Sequence, residues 1–515
     1  MDGGCLKELA KLGLIPMNQL ERFCIATSIA PGNVAIQTEA VNSWLREGFS
    51  VVSINCRQEI EVLSDIYPQV RFVESIRDAR DKFSKPYIYF DEFLDFFKSS
   101  EYRRFGLINS DIVLTSLNDE EKELILKCTD HALLFGSRMN VDSLEEPHHG
   151  LMYHQGFDFF FFDEHYLHLF PRSNYCIGLP WWDYWAVIVP VLKGLPIHRM
   201  LTPIALHKKH EVKWDANIWK SLGDELSQFL KPVLKFTDLK NLASVLVSYI
   251  EEKSNVQFVR RNRPNANVAV VYDGKDSTRD SPSVRALRHQ TMQGIHVLNS
   301  NARSLASELQ AFDYVYFMEE GDVIPPYFFE LMCSEIGDKA FIQCGFRILR
   351  DAGFDCTLRL PANLKSSPDE KRLARKTVVF AKEALLRNPN VMDDWTGEDG
   401  RFLGIGLIQQ SFEQYVLERL RFHSGVKLYL YGTGSHSKIL LDLFKTNGIK
   451  IEGVFSPDIQ LHDTKFEGVP VIHDQFMKML EFDRLLISSY TFEKVIYERV
   501  AQVIPEHKIM RLYYL

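Results

Sequence analysis

Three successive stretches near the start of the chain alternate in a way few folds accommodate. Phe23 to Ser28 is an apolar run, Gln37 to Glu47 has a helical pattern, and Phe49 to Asn55 is a second run with β-branched Val51, Val52 and Ile54. The helical part carries Ala40, Val41, Trp44 and Leu45 on one face and closes at Gly48. Strand, helix and strand at this spacing form a βαβ unit, which makes the fold class α/β.

The same pattern recurs twice. Val268 to Tyr272, ending on Asp273-Gly274, is followed by a helix around Val284 to Gln290 and a strand at Ile295 to Leu298. Val426 to Tyr431 leads through Gly432-Thr433-Gly434-Ser435 into a helix from Lys438 to Asn447 and a strand at Ile451 to Phe455. A chain of 515 residues exceeds what one hydrophobic core supports. Five segments are therefore expected: an N-terminal arm (1–20), an α/β unit (21–235), a helical linker (236–258), a second, shortened α/β unit (259–422) and a small Rossmann-like βαβ unit (423–515). The helical pattern from Ser227 to Glu252 and the polar break Arg260 to Asn265 set the middle boundaries. Further strands are expected at Val70 to Val73, Tyr87 to Asp91 and Phe157 to Phe162, a helix from Pro180 to Leu192, and a mobile loop at Lys365 to Lys376.

Composition narrows the function classes. A net charge of −8 and a pI near 6.1 argue against general nucleic-acid binding. Eight cysteines without any C-x-x-C pair favour reduced thiols and a cytoplasmic setting. No export signal is visible in Met1 to Leu14, and no apolar stretch is long enough to span a bilayer, which leaves only peripheral membrane contact.

Chemistry is expected where strands end on acids. Gly106 to Ile108 runs into Asn109-Ser110-Asp111, a polar triplet at the strand edge where α/β sheets bind ligands. Such a triplet suits a divalent cation with a diphosphate, or it is an Asx turn. Asp183 lies among Trp181, Trp182, Tyr184 and Trp185, where desolvation would raise its pKa toward that of a general base; the alternative is a capping residue in a helical first turn. His207 and His210 follow a strand-like Ile204 to Leu206, and one imidazole would complete a metal site begun by Asp111, whereas His210 fits a surface histidine better. In the second unit Glu320 and Asp322 offer a cation site, Asp399 a base and Asp273 a nucleotide contact; a surface acid cluster is the alternative. The Gly432, Gly434 and Ser435 turn suits a phosphate at a helix N-terminus, or simply a tight turn.

With Asn109-Ser110-Asp111 in the place of a D-x-D metal motif, Trp182-Asp183 as a late acidic motif and a final histidine at His207, the first unit resembles the nucleotide-sugar glycosyltransferases of GT-A fold over about Phe23 to Trp214. It departs from them at Asn109, where the family has an acid. The second unit looks like a shortened family-two copy, with His289-Gln290-Thr291, Glu319 to Asp322 and Glu398-Asp399 in the corresponding places. The third is similar to small Rossmann-like domains that accompany sugar-nucleotide enzymes. The resemblance implies transfer from a nucleoside diphosphate sugar to a glycan or other hydroxyl acceptor, in surface polysaccharide synthesis. It also implies Mg²⁺ or Mn²⁺ on Asp111, His207 and Asp322, catalysis by Asp183 and Asp399, and donor contacts from Thr27, Asn109, Arg138, Asp273 and Trp182. Two other classes stay open: a sugar-nucleotide-binding scaffold or sensor without activity, and a nicotinamide-dependent reductase built on the Gly432 turn, for which Asp458 is the nearest acidic ribose ligand.

Overall fold

The computed structural model of the chain describes residues 23–147, 150–210, 215–259, 266–274, 281–300, 305–349, 355–358, 360, 368–387, 400–420, 426–489 and 492–513. The arm at 1–20, the polar break at Arg260 to Asn265 and Asp399 lie outside these residues.

The first unit is built on strands β1 (Phe23–Thr27), β2 (Ser50–Asn55), β3 (Arg71–Glu74), β4 (Arg104–Ile108), β5 (Val113–Leu114), β6 (Leu133–Gly136), β7 (Met139–Val141), β8 (Leu151–Met152), β9 (Phe159–Asp163), β10 (Ile197–Met200), β11 (Ala205–Lys208) and β12 (Asn255–Gln257). Eight of them form one sheet in the order β12-β10-β6-β9-β4-β1-β2-β3, parallel except for β9, which runs antiparallel between β4 and β6. The other four form a small sheet, β5-β11-β7-β8. Buried on both faces, β9 is almost wholly aromatic, and its neighbours make room for it. Gly136 faces Phe159 and Gly106 faces Phe161 across the ladder, and a Cβ on Gly136 would come within 2.2 Å of the Phe159 ring.

Two expected elements differ. Tyr87 to Asp91 is not a strand beyond a single bridge from Tyr89 to Cys176; Phe90–Ser99 is helical. Phe90, Phe93, Leu94 and Phe97 recur at helical spacing and bury one stripe, and that period outweighs the local aromatic run. The stretch Ser227 to Glu252 is two helices, Ala216–Leu230 and Leu239–Lys253; Pro232 follows the first, and the Asp238 carboxylate caps the second. Residues 236–258, expected as a linker, pack into the first unit: Leu242, Leu246 and Ile250 share the core of helix Trp182–Leu192, and β12 pairs with β10.

The second unit has strands β13 (Val268–Asp273), β14 (Ile295–Asn299), β15 (Tyr314–Glu319), β16 (Phe341–Leu349), β17 (Asp355–Leu358), β18 (Val378–Ala381) and β19 (Gly400–Ser411). Their order is β14-β13-β15-β18-β16-β17, with β19 along β16. The third unit holds β20 (Leu428–Tyr431), β21 (Ile451–Ser456), β22 (Lys465–Phe466), β23 (Val469–His473), β24 (Arg484–Ile487) and β25 (Ile509–Met510), ordered β22-β23-β21-β20-β24-β25. The architecture is thus α/β throughout, two Rossmann-type units in tandem and a smaller one after them. No helix among the described residues is long and apolar enough to cross a membrane.

The first two units meet across buried polar groups. Arg347 of β16 reaches Glu251 at 3.0 and 3.1 Å, and Arg199 of β10 pairs with the same carboxylate. Beside them His154 is buried; burial first, then the charges of Arg347 and Arg199, hold it well below the usual histidine pKa, and it stays neutral. Gly404 of β19 has φ 72°, and a Cβ there would lie 2.3 Å from the Gly150 carbonyl oxygen. Gly404→Ala is therefore expected to destabilise the chain by about 2 kcal/mol or more, since it adds left-handed strain to a backbone clash. Denaturant unfolding measures this, and an unchanged midpoint would contradict the close approach of the two units.

Candidate active site

The parallel strands β1 and β4 end side by side, and the chain leaves β4 through Asn109-Ser110-Asp111. The direction in which Asp111 points is set by the three residues after it. The Ile112 carbonyl accepts the Trp44 indole N–H at 3.0 Å, and β5 then pairs with β11, setting Val113 opposite Leu206. This brings Asp111 against His207 in β11 and His210 just beyond it. Asp111 Oδ2 lies 3.4 Å from His207 Nε2 and 3.4 Å from His210 Nε2, and the two Nε2 atoms are 3.2 Å apart.

The orientation of His207 is imposed from behind. In the β7–β11 pairing His207 stands opposite Asn140, whose Oδ1 accepts the Arg138 Nε–H at 3.0 Å and lies 3.1 Å from His207 Nδ1. Arg138 only donates, so the Asn140 atom is the oxygen and His207 Nδ1 carries the proton. The Nε2 lone pair is then turned to the cluster, as a metal-binding imidazole requires. A triangle with sides of 3.2, 3.4 and 3.4 Å is met by one ion about 2 Å from each corner, the distance at which imidazole nitrogen and carboxylate oxygen bind first-row metals. The donor set therefore fits a divalent cation. The His207 lone pair is the one a cation would use; with no ion bound and Nε2 protonated as well, burial pushes the Asp111 carboxyl up, but the hydrogen bond and charge of His207, with Arg138 behind, outweigh it and hold the group below the usual carboxylate range.

On the same cleft, about 1320 Å³ in volume, sits Asp183. It occupies the first turn of helix Trp182–Leu192, where its carboxylate meets the helix's own Tyr184 N–H and also accepts the Phe157 N–H at 3.1 Å. Burial raises its pKa to about 7, opposed by the Phe157 N–H and reinforced by nearby Asp158. The approach depends on Gly156, where a Cβ would stand 2.9 Å from Asp183 Oδ2. Gly156→Ala is expected to lower turnover about 10- to 100-fold by displacing the carboxylate, while Mn²⁺ binding persists. A pH–rate profile checks it: a displaced carboxylate moves the midpoint, whereas a general packing defect would not.

The other expected residues divide. Arg138 lines the cleft, stacks over Tyr153 at 4.6 Å and pairs with Asp158 at 2.6 Å. Asn109 also lines it, but its amide donates to Asp158 Oδ1 at 3.4 Å and does not face the cluster. Trp182 borders the cleft with most of its ring in the core against Phe90 and Phe160. Thr27, expected to contact the donor, is fully buried at the end of β1 and does not line the cleft, whereas Ser28, the next residue, does. His210, expected from sequence as a surface histidine, is indeed exposed and also joins the cluster. Asp158 and Asn140 are site residues that sequence reasoning misses. Asp158 has a signal, a single acid inside an aromatic run; Asn140 has none, because its role comes from pairing with a strand 67 residues away.

In the second unit Asp273 is exposed at the end of β13, level with Glu319 in the ladder, and accepts the Ser300 hydroxyl at 3.3 Å. Asp322, expected to hold a metal, is buried in an ion pair with Lys376 at 2.9 Å. Lys365 to Lys376, expected as a mobile loop, has a helix at Pro368–Arg375 ending on that buried lysine, with 361–367 outside the described residues. In the third unit Gly432 has φ 114°, Gly434 precedes helix Ser435–Thr446 and Ser435 opens it. Ser437, where the dinucleotide fingerprint has its third glycine, donates to the Gly432 carbonyl at 2.6 Å and so fastens the turn to the helix.

Residues 425–510, essentially the third unit, match the family described as C2185-like, N-terminal. Comparison with curated proteins finds no match. Among solved structures, the inositol-1-phosphate CTP transferase from T. maritima is similar at 11% identity, over 45% of this chain and 98% of that one, with a TM-score of 0.23. Similarity at that level says nothing of function.

Proposed function

We propose that the first unit is a metal-assisted glycosyltransferase site, moving a sugar from a nucleoside diphosphate donor to a hydroxyl of a glycan acceptor. The observation that supports it most is the convergence of Asp111, His207 and His210 at the C-terminal edge of a mainly parallel sheet, on the cleft that also holds a carboxyl with a pKa of about 7. A divalent ion on the three ligands would offset the negative charge that develops on the departing diphosphate. Two imidazoles and one carboxylate suit Mn²⁺ better than the harder Mg²⁺.

The chain's own groups supply the rest. Asp183 takes the proton of the acceptor hydroxyl as its oxygen bonds to the anomeric carbon and the carbon–phosphate-oxygen bond breaks. Trp219, half-buried on the cleft, offers a flat apolar face to a sugar ring, with Trp181 packed behind it and Tyr184 behind Trp181. Arg138, held by Asp158 and Tyr153, stands at the mouth as a fixed positive charge for phosphate.

A panel of nucleoside diphosphate sugars with the full-length chain and Mn²⁺ tests the reading. Thermal stabilisation by one donor, followed by its consumption when glycan acceptors are added, is the expected result. Stabilisation without transfer or hydrolysis across many acceptors would favour a binding scaffold instead.

A further inference from the structure

The acid cluster at the C-terminal edge of the second sheet already holds cations that belong to the chain: Lys376 among its carboxylates, and Arg372 on the other oxygen of Glu319, Oε1, at 3.2 Å. β15 ends on Glu319, and the turn at Gly321 (φ 100°) brings Asp322 back so that its Oδ2 accepts the Glu319 N–H at 2.8 Å. Into this corner comes Lys376, from the turn between helix Pro368–Arg375 and β18. Its Nζ lies 2.9 Å from Asp322 Oδ1, 3.1 Å from Glu319 Oε2 and 3.8 Å from Glu418 Oε2. The lysine side chain is only 4% exposed, and its backbone carbonyl accepts the hydroxyl of the fully buried Tyr316 at 2.8 Å, which fixes where the ammonium enters.

Three carboxylates gathered this closely repel one another unless a positive charge sits between them. Burial works against the Lys376 charge, but Asp322, then Glu319 and Glu418, outweigh it and raise its pKa, so the ammonium stays charged. An ammonium at hydrogen-bond distance from Asp322 and Glu319 takes the volume that a hard cation would need among the same oxygens. The first unit differs in kind: its three ligand atoms converge, and among the described residues no lysine pairs with Asp111.

We infer that the second unit is a transferase-like fold whose cation site is closed by Lys376, so that it takes no divalent cation and becomes an all-oxygen site for one only when that lysine is removed. What it adds to the protein is structural: Arg347 and Leu349 of β16 form part of the wall of the first cleft.

Mn²⁺ titration of the full-length Asp111→Ala chain, followed by electron paramagnetic resonance, tests this. That variant lacks the first cluster, and no equivalent that Asp322→Asn removes is expected; Mn²⁺ held by His131, Asp163 and His165, which also lie close enough to share an ion, would persist in that double variant. Adding Lys376→Ala, in protein shown by circular dichroism to be folded, should create one Mn²⁺ equivalent at least about 10-fold tighter than any residual binding, and Glu418→Gln should weaken it again. Lys376→Met serves the same purpose with the stem retained if the alanine variant does not fold. An Asp111→Ala chain that already binds one Mn²⁺, lost on Asp322→Asn, would overturn the inference whether or not any lysine variant folds. So would a folded lysine variant that binds no more Mn²⁺ than its parent.

Discussion

Asp183→Asn is expected to abolish transfer, by about 10²- to 10⁴-fold, while raising the stability of the protein at pH 8. Both effects have one origin. The carboxyl titrates near 7 in the folded chain because burial penalises its charge, against an ordinary value of 3.8. A carboxyl whose folded pKa lies above its unfolded one keeps a proton that the unfolded chain has lost, so stability falls as pH rises between about 4 and 7. Above that window the ionised group costs up to about 4 kcal/mol. Asparagine at 183 is neutral at every pH and keeps an oxygen for the Phe157 N–H, which avoids that cost. In the proposed mechanism the same ionisation that destabilises the fold supplies the base, so wild-type kcat/KM should climb through pH about 7, and the residual rate of Asp183→Asn should lack that step. Thermal unfolding at pH 5 and pH 8 together with a transfer assay reads both effects. Unchanged turnover would remove Asp183 from the chemistry whatever happened to its stability.

Asp111→Ala should cost at least about 100-fold in Mn²⁺ affinity and a comparable factor in transfer, because it removes the only carboxylate from a three-ligand set. The fold should survive, since Asp111 leaves β4 through a loop and makes no ladder contact. In the intact chain Mn²⁺ at about 100 times its dissociation constant should add about 2.7 kcal/mol of stability, and this increment should vanish in the variant. Asn140→Ala probes the same site from behind: with the Nδ1 partner gone His207 can turn, and Mn²⁺ affinity should fall about 10- to 100-fold. Mg²⁺ supporting the reaction as well as Mn²⁺ would contradict the role given to the two imidazoles.

The α/β class, the order of the three units and most strands of the first sheet are legible in the residues themselves. They rest on local period: two for half-buried strands, unbroken apolar runs for buried ones, and a glycine or a polar turn at each end. The same local signals mark Asp111 and Asp183 as acids where strand or helix meets an aromatic or glycine-bounded run. Local reading fails where two periods compete, as at Phe90 to Phe97. It also fails where a segment's partner is far away, as with Leu239–Lys253 and β12, which join the first sheet's edge and core.

The sites divide along the same line. That His207 and His210 are imidazoles beside a strand is written in the chain; that both meet Asp111 comes from β5 pairing with β11 across some ninety residues. Asn140 and Gly156 gain their roles only through space, one behind His207 and the other beneath Asp183. In the second unit, four residues from Glu319 to Asp322 spell a cation site, and Lys376, more than fifty positions on, fills it. Propensity and spacing reach a few residues along the chain, whereas the charge balance of a buried acid depends on whatever the fold brings beside it.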